Sequence, residues 1–101
     1  MITLTANQKF MLKALAVHSD CAEKGILIRD ITNPADLDMK NLNVKELADF
    51  SGLHQVAVRG LIYSLENKGL IFAIKSKRGN RTRIVFTDAG YNLIKEYFPA
   101  I

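Results

Sequence analysis

Apolar residues recur along this chain in distinct rhythms, and each rhythm predicts a different element. Between about residues 6 and 19, Phe10, Met11, Leu12, Ala14, Leu15, Ala16 and Val17 point nearly all round a helix, interrupted by Lys9 and Lys13. A surface helix shows one apolar stripe. This helix is therefore expected to be buried on more than one side, by its own core and in part by a second copy of the chain. Thr5 and Gln8 have the capping-box spacing that starts such a helix. From about 44 to 51 the pattern is amphipathic, with Val44, Leu47 and Ala48 inward and Asn43 as the cap. Ser51-Gly52-Leu53 stops that helix, Gly52 being suited to the left-handed position that follows one. A third helix runs from His54 or Gln55 to about Lys68. Its Val58, Leu61, Ile62 and Leu65 fall at i, i+3, i+4 and i+7 and make one core face. Gly69 ends it.

At Leu70 the period changes. The stretches at about 70–75 and 81–87 are rich in Ile, Val, Phe and Thr and read as two strands. Ser76-Lys77-Arg78-Gly79-Asn80 joins them as a hairpin loop, with Gly and Asn available for positive φ. Thr87 caps a last helix, about 88–98, which Pro99 follows. There Tyr91, Leu93, Ile94, Tyr97 and Phe98 cover a broad arc, again more apolar area than a monomer needs. Residues 20–43 have no clear period and read as an ordered connection. Gly25 breaks the chain, and Ile26-Leu27-Ile28 reads either as a short strand or as a core anchor. Asn33 caps a brief helical turn that starts at Pro34.

The expected fold is mainly α with a small β-hairpin, in one domain of 101 residues. A chain of this size buries roughly two-thirds of its unfolded surface. The 49% hydrophobic content suits a folded domain. No apolar run approaches the roughly 20 residues that span a bilayer, and the N-terminus lacks the pattern of a secretory signal. Cys21 is the only cysteine, so no internal disulfide can form and a cytoplasmic setting is expected. It is read as a plain buried or half-buried thiol.

Charge changes the picture more. The 14 Lys and Arg exceed the 10 Asp and Glu, for a net charge of +4. Five of those bases (Lys75, Lys77, Arg78, Arg81 and Arg83) lie within nine consecutive residues that contain no acid. Without them nine bases face ten acids. The chain is near neutral with one concentrated basic element, which suits a polyanionic partner.

The order helix, connection, short helix, glycine turn, longer helix, basic hairpin, helix is that of a winged helix-turn-helix. Leu47-Ala48, Ser51-Gly52-Leu53, then Val58, Leu61, Leu65 and Glu66-Asn67-Lys68-Gly69-Leu70-Ile71 resemble the helix-turn-helix of MarR-type bacterial regulators. Arg81-Thr82-Arg83-Ile84-Val85-Phe86-Thr87-Asp88-Ala89-Gly90 resembles that family's second wing strand and the cap of its next helix. The likeness covers about residues 43 to 98. His54 stands where the family usually has a serine cap, and Gly60 where a polar or basic residue is common. The resemblance implies a double-stranded DNA-binding transcription regulator, and no cofactor is expected.

Side-chain chemistry points the same way. With Val58, Leu61, Ile62 and Leu65 inward, the third helix turns Val56, Gly60, Tyr63 and Asn67 outward, with Arg59 on the flank. Arg59 is suited to guanine O6 and N7, Gln55 to adenine, and Val56 to a thymine methyl. Tyr63 suits a phosphate, and His54 either caps the helix or meets a phosphate. Gly60 costs about 1 kcal/mol relative to Ala inside a helix. Either a closely approaching backbone or tight packing on a neighbouring helix gives that cost a purpose. In the wing, Lys75, Lys77, Arg78, Asn80, Arg81 and Arg83 are candidates for the phosphate backbone or the adjacent minor groove. Alternation along the second strand puts Arg81 and Arg83 on one face, expected to be the outer one.

Homodimerisation is expected through the first and last helices, which carry the surplus apolar area. The length leaves no room for a separate sensor domain, so any effector pocket would have to lie at that seam, and the effector itself is unknown. The alternative is a winged helix used as a protein-interaction module, with Val56 and Tyr63 as its patch. An RNA or single-strand binder is weaker, for want of an aromatic stacking platform. An enzyme fits least: there is no Gly-rich phosphate loop, no nucleophile elbow and no carboxylate pair across a cleft. His18 and His54 lie 36 positions apart with no cysteine or carboxylate at metal-ligand spacing, so no metal is expected.

Overall fold

The computed structural model describes residues 3–75 and 82–99. Among them the chain forms five helices, α1 (Ala6–Val17), α2 (Asp20–Glu23), α3 (Val44–Ser51), α4 (Gln55–Asn67) and α5 (Asp88–Tyr97). Three strands, β1 (Asp38–Met39), β2 (Ile71–Lys75) and β3 (Thr82–Phe86), make one antiparallel sheet in the order β1-β3-β2. Two short 3-10 turns, Ile28–Asp30 and Pro34–Asp36, lie in the connection between α2 and β1.

α1 begins as its sequence dictates. The Thr5 hydroxyl accepts from the Gln8 backbone N–H (3.2 Å), and the Gln8 side chain accepts from the Thr5 N–H (2.9 Å). Gln8 is itself buried, and its amide donates to Ser64 Oγ of α4 at 2.7 Å. The cap of the first helix is thus tied to the fourth. The helix ends at Val17 rather than near Ser19, because Ser19 starts a separate helical turn, α2.

Met11, Leu12, Ala14, Leu15 and Ala16 of α1 are fully or almost fully buried. α2, α3, α4 and α5 all pack against this helix. Lys9 and Lys13, the two interruptions in its apolar pattern, lie over the Tyr97 and Phe98 rings at 4.6 and 5.2 Å from the centroids. Most of the apolar character of α1 is therefore satisfied within one chain. This corrects the expectation that α1 carries surplus surface for a dimer seam; only Phe10 among its large apolar residues is exposed. α5 likewise buries Tyr91 and Ile94, while Leu93, Tyr97 and Phe98 are half-buried against the same core.

The connection decides between two open readings and holds one further difference from the sequence expectation. Ile26-Leu27-Ile28 is no strand: Ile28 anchors a 3-10 turn at 3% exposure, while Ile26 and Leu27 face solvent. The hairpin gains a third strand at its β3 edge, with Asp38 opposite Val85 and Met39 opposite Ile84. Leu42 donates to Thr82 O and Phe86 to Leu37 O on either side of it. A two-residue strand has no period of its own to read. It exists because β3 presents an open edge.

α5 is seated by a close backbone approach. Thr87 Oγ1 donates to Gly69 O (2.6 Å) and accepts from Gly90 N (3.1 Å), and Thr87 N donates to Leu70 O (3.1 Å). A Cβ on Gly90 would fall inside the Leu70 carbonyl. The Tyr91 hydroxyl donates to Ile31 O and ties α5 to the connection. Gly90→Ala is expected to destabilise the fold by about 1–3 kcal/mol or more, since rigid backbone must move. Urea unfolding checks this against Ala89→Gly on the same helix, which loses only helix propensity and minor packing, about 1 kcal/mol.

Candidate nucleic-acid interface

The helix-turn-helix is built from local signals. Asn43 Oδ1 accepts from Glu46 N at 3.0 Å and starts α3, which buries Leu47 and Ala48. Gly52 takes the left-handed conformation (φ 71°, ψ 15°) and turns the chain. Ser51 Oγ then accepts from Leu53 N at 3.3 Å, and α4 starts two residues later. Val58, Ile62 and Leu65 are buried and Leu61 is half-buried, so α4 has one inner face, resting on α1 and α3.

Everything opposite that face is open to water. Gln55, Arg59, Gly60 and Asn67 are exposed, and Val56 and Tyr63 are 78% and 64% exposed. Among the described residues, nothing lies within 4 Å of where a Gly60 Cβ would stand. Among the described residues, then, no neighbouring helix packs on this glycine. His54 occupies the N-cap position in extended conformation without a side-chain capping bond, and its imidazole is exposed at the start of α4.

The sheet register sorts the wing bases onto two sides. Lys75 pairs with Thr82, and Ile74 with Arg83. Lys75, Ala73 and Thr82 share the side that faces α4 and, with Arg59, Tyr63 and Glu66, line a groove of about 570 Å³. Glu66 crosses that junction, its carboxylate accepting from Ala73 N at 2.8 Å. Arg83 sits on the outer side, as alternation predicted. There its Nε and Nη2 both donate to Asp38 Oδ2, at 3.0 and 2.8 Å, which pins β1 to β3. Phe72 and Ile74 are exposed on that same outer side.

The structure thus brings Arg59, Tyr63 and Lys75 together around one groove and separates Arg83 from them. Lys77, Arg78, Asn80 and Arg81 lie outside the described residues. Thr82 was missed as a groove residue. The antiparallel partner of Lys75 must share its side of the hairpin, so the strand register contained the signal.

These elements together are a MarR-like winged helix-turn-helix. Solved structures share the arrangement. MepR from S. aureus in complex with DNA matches with a TM-score of 0.64 at 21% identity, over 95% of this chain and 56% of MepR. MepR described as a transcription regulator of the Staphylococcus aureus multidrug efflux pump MepA matches with a TM-score of 0.62 at 21% identity, over the same shares. The likeness at this identity is one of fold, and the chain spans about half the length of MepR. No protein-family model and no curated protein matches the sequence. Among the described residues, no helix is long and apolar enough to cross a membrane.

Because a Gly60 side chain would meet open space, Gly60→Ala is expected to stabilise the free protein by about 1 kcal/mol through helix propensity alone. Urea unfolding of the free protein measures it; a loss of stability would mean that Gly60 is packed after all.

Proposed function

We propose that this chain binds double-stranded DNA with sequence preference and regulates transcription, most simply by occupying a promoter as a repressor in the cytoplasm. The observation that carries this reading is the outer face of α4. Val56, Arg59, Gly60 and Tyr63 are all turned to solvent, with no neighbour at Gly60 among the described residues and a basic hairpin alongside. A recognition helix presents its N-terminal half to the major groove. In that pose Arg59 takes guanine O6 and N7, Gln55 takes adenine, and Val56 meets a thymine methyl. His54 and Tyr63 reach phosphates. Gly60 lets the helix approach closely. Lys75 meets the backbone from the groove side, and Lys77, Arg78, Asn80 and Arg81 of the hairpin add phosphate or minor-groove contacts. Arg83 contributes less, because its guanidinium is held by Asp38. The role is binding, with no catalytic step.

A homodimer is part of this reading. The half-buried Leu93, Tyr97 and Phe98 of α5 supply its seam, with α1 contributing little. Two copies would place recognition helices about 34–36 Å apart, on a roughly palindromic site. One observation favours a second reading, a protein-interaction module. The exposure of Val56 and Tyr63 leaves apolar surface that a protein partner covers as well as a groove does.

Selection from a random duplex pool at two salt concentrations separates the two. DNA binding through six to eight phosphates falls with a log–log salt slope of about −5 to −7. An enriched palindrome with half-sites one turn apart supports the dimeric reader, and no retention at low salt supports the interaction module. On the selected duplex, Arg59→Ala is expected to cost about 1–3 kcal/mol and to relax preference at one base position. Gly60→Ala is expected to weaken binding despite stabilising the fold. A folded Arg59→Ala protein with unchanged affinity and selectivity would remove α4 as the reading element.

A further inference from the structure

On the far side of α3 from the groove, three residues distant in sequence converge. His18 is the C-cap of α1, Glu23 is the last residue of α2, and Glu46 lies in the first turn of α3. His18 Nδ1 stands 3.2 Å from Glu46 Oε1, and one ligand atom from each of the three residues lies within 4.8 Å of the others. They line a cavity of about 160 Å³ together with Asp20, Asn41 and Asn43, and none of the described residues lining it is a lysine or arginine. The chain as a whole carries +4, yet this pocket gathers three carboxylates.

We propose that this pocket binds one divalent first-row transition-metal ion through His18 Nδ1, Glu23 and Glu46, with water completing the shell. Three observations support it. Two carboxylates this close repel each other, and a dication between them turns the repulsion into attraction. The imidazole is largely buried, its side chain 19% exposed, and its ring is held edge-on to Phe50 at 4.8 Å between centroids. Its orientation is thus set by packing. Among the described residues, Nε2 is buried without a hydrogen-bond partner, so only Nδ1 is presented, and it faces the carboxylates. One imidazole nitrogen and two carboxylate oxygens form a donor set for zinc or its first-row neighbours. Calcium and magnesium prefer all-oxygen shells. The cavity has room for the ion and a few waters, at about 30 Å³ each. An ion held there joins the ends of α1 and α2 to the start of α3, and so fixes the helix on which α4 leans.

The test is calorimetric titration of the chelator-treated full chain with zinc chloride. The expected result is one zinc ion per chain. Glu23→Gln and Glu46→Gln are each expected to weaken binding by at least about tenfold, with circular dichroism confirming that both variants fold. Glu96→Gln on α5 is expected to bind like the parent. Cobalt(II) substituted at the site should show d–d absorption that His18→Gln abolishes. No stoichiometric binding overturns the proposal. So does binding that survives both glutamate substitutions, which would place the ion on other ligands. No DNA enters these measurements, so their outcome and that of the duplex selection are read separately.

Discussion

Met11, Leu12, Leu15 and Ala16 of α1 are taken out of water by several helices at once, and the position of every other helix follows from how it covers them. Full burial of a Leu or Met side chain contributes roughly 1.5–3 kcal/mol, so the buried side chains of this helix contribute substantially to the cohesion of a small domain. α4 is held at its N-terminal partner by α3, along its length by α1, and at Ser64 by the Gln8 amide. A helix fixed from one side in this manner leaves its opposite side free without losing its orientation. That is what a reading helix requires, because contacts to base edges depend on side chains arriving in a set geometry.

The hairpin is joined to this platform by the buried side chains of Ile71, Ile84 and Phe86 and by a few polar contacts. Glu66 of α4 accepts from Ala73 in the middle of β2, and Thr87 closes the end of β3 onto Gly69 and Leu70. The Arg83–Asp38 pair does a different job. It uses a wing arginine to hold the short strand β1 on the outer edge of the sheet. With Asp38 largely buried and Arg83 half exposed, the pair sits between the surface and buried regimes. Its worth is more in fixing register than in adding stability. One consequence is that the basic run of the wing is not uniform. Lys75 serves the groove, while Arg83 serves the fold.

Much of this was legible locally. The ranges of α3, α4 and α5, the capping box at Thr5, the Asn33-Pro34 turn, the left-handed Gly52 and the Thr87 cap are all short-range effects. Each depends on residues within about one helical turn, where side-chain chemistry and backbone geometry determine each other. The outward face of α4 was legible for the same reason, since a helix with one apolar stripe has a defined opposite side. The misread parts share one property. α2 and β1 are four and two residues long, too short for a period. The dense apolar pattern of α1 was sound, but periodicity counts apolar faces and does not say which chain covers them.

The sequence by itself determined the order of the longer elements, their caps and the residues that α4 shows to solvent, because these follow from interactions between near neighbours. Tertiary structure alone decided that one chain covers most of the apolar surface of α1. It also decided that Lys75 and Arg59 meet across a groove while Arg83 turns away to Asp38. Only folding brings His18, Glu23 and Glu46 together, since they sit at the ends of three separate helices. Contacts of that kind depend on how rigid elements pack, and packing is set by the whole core at once.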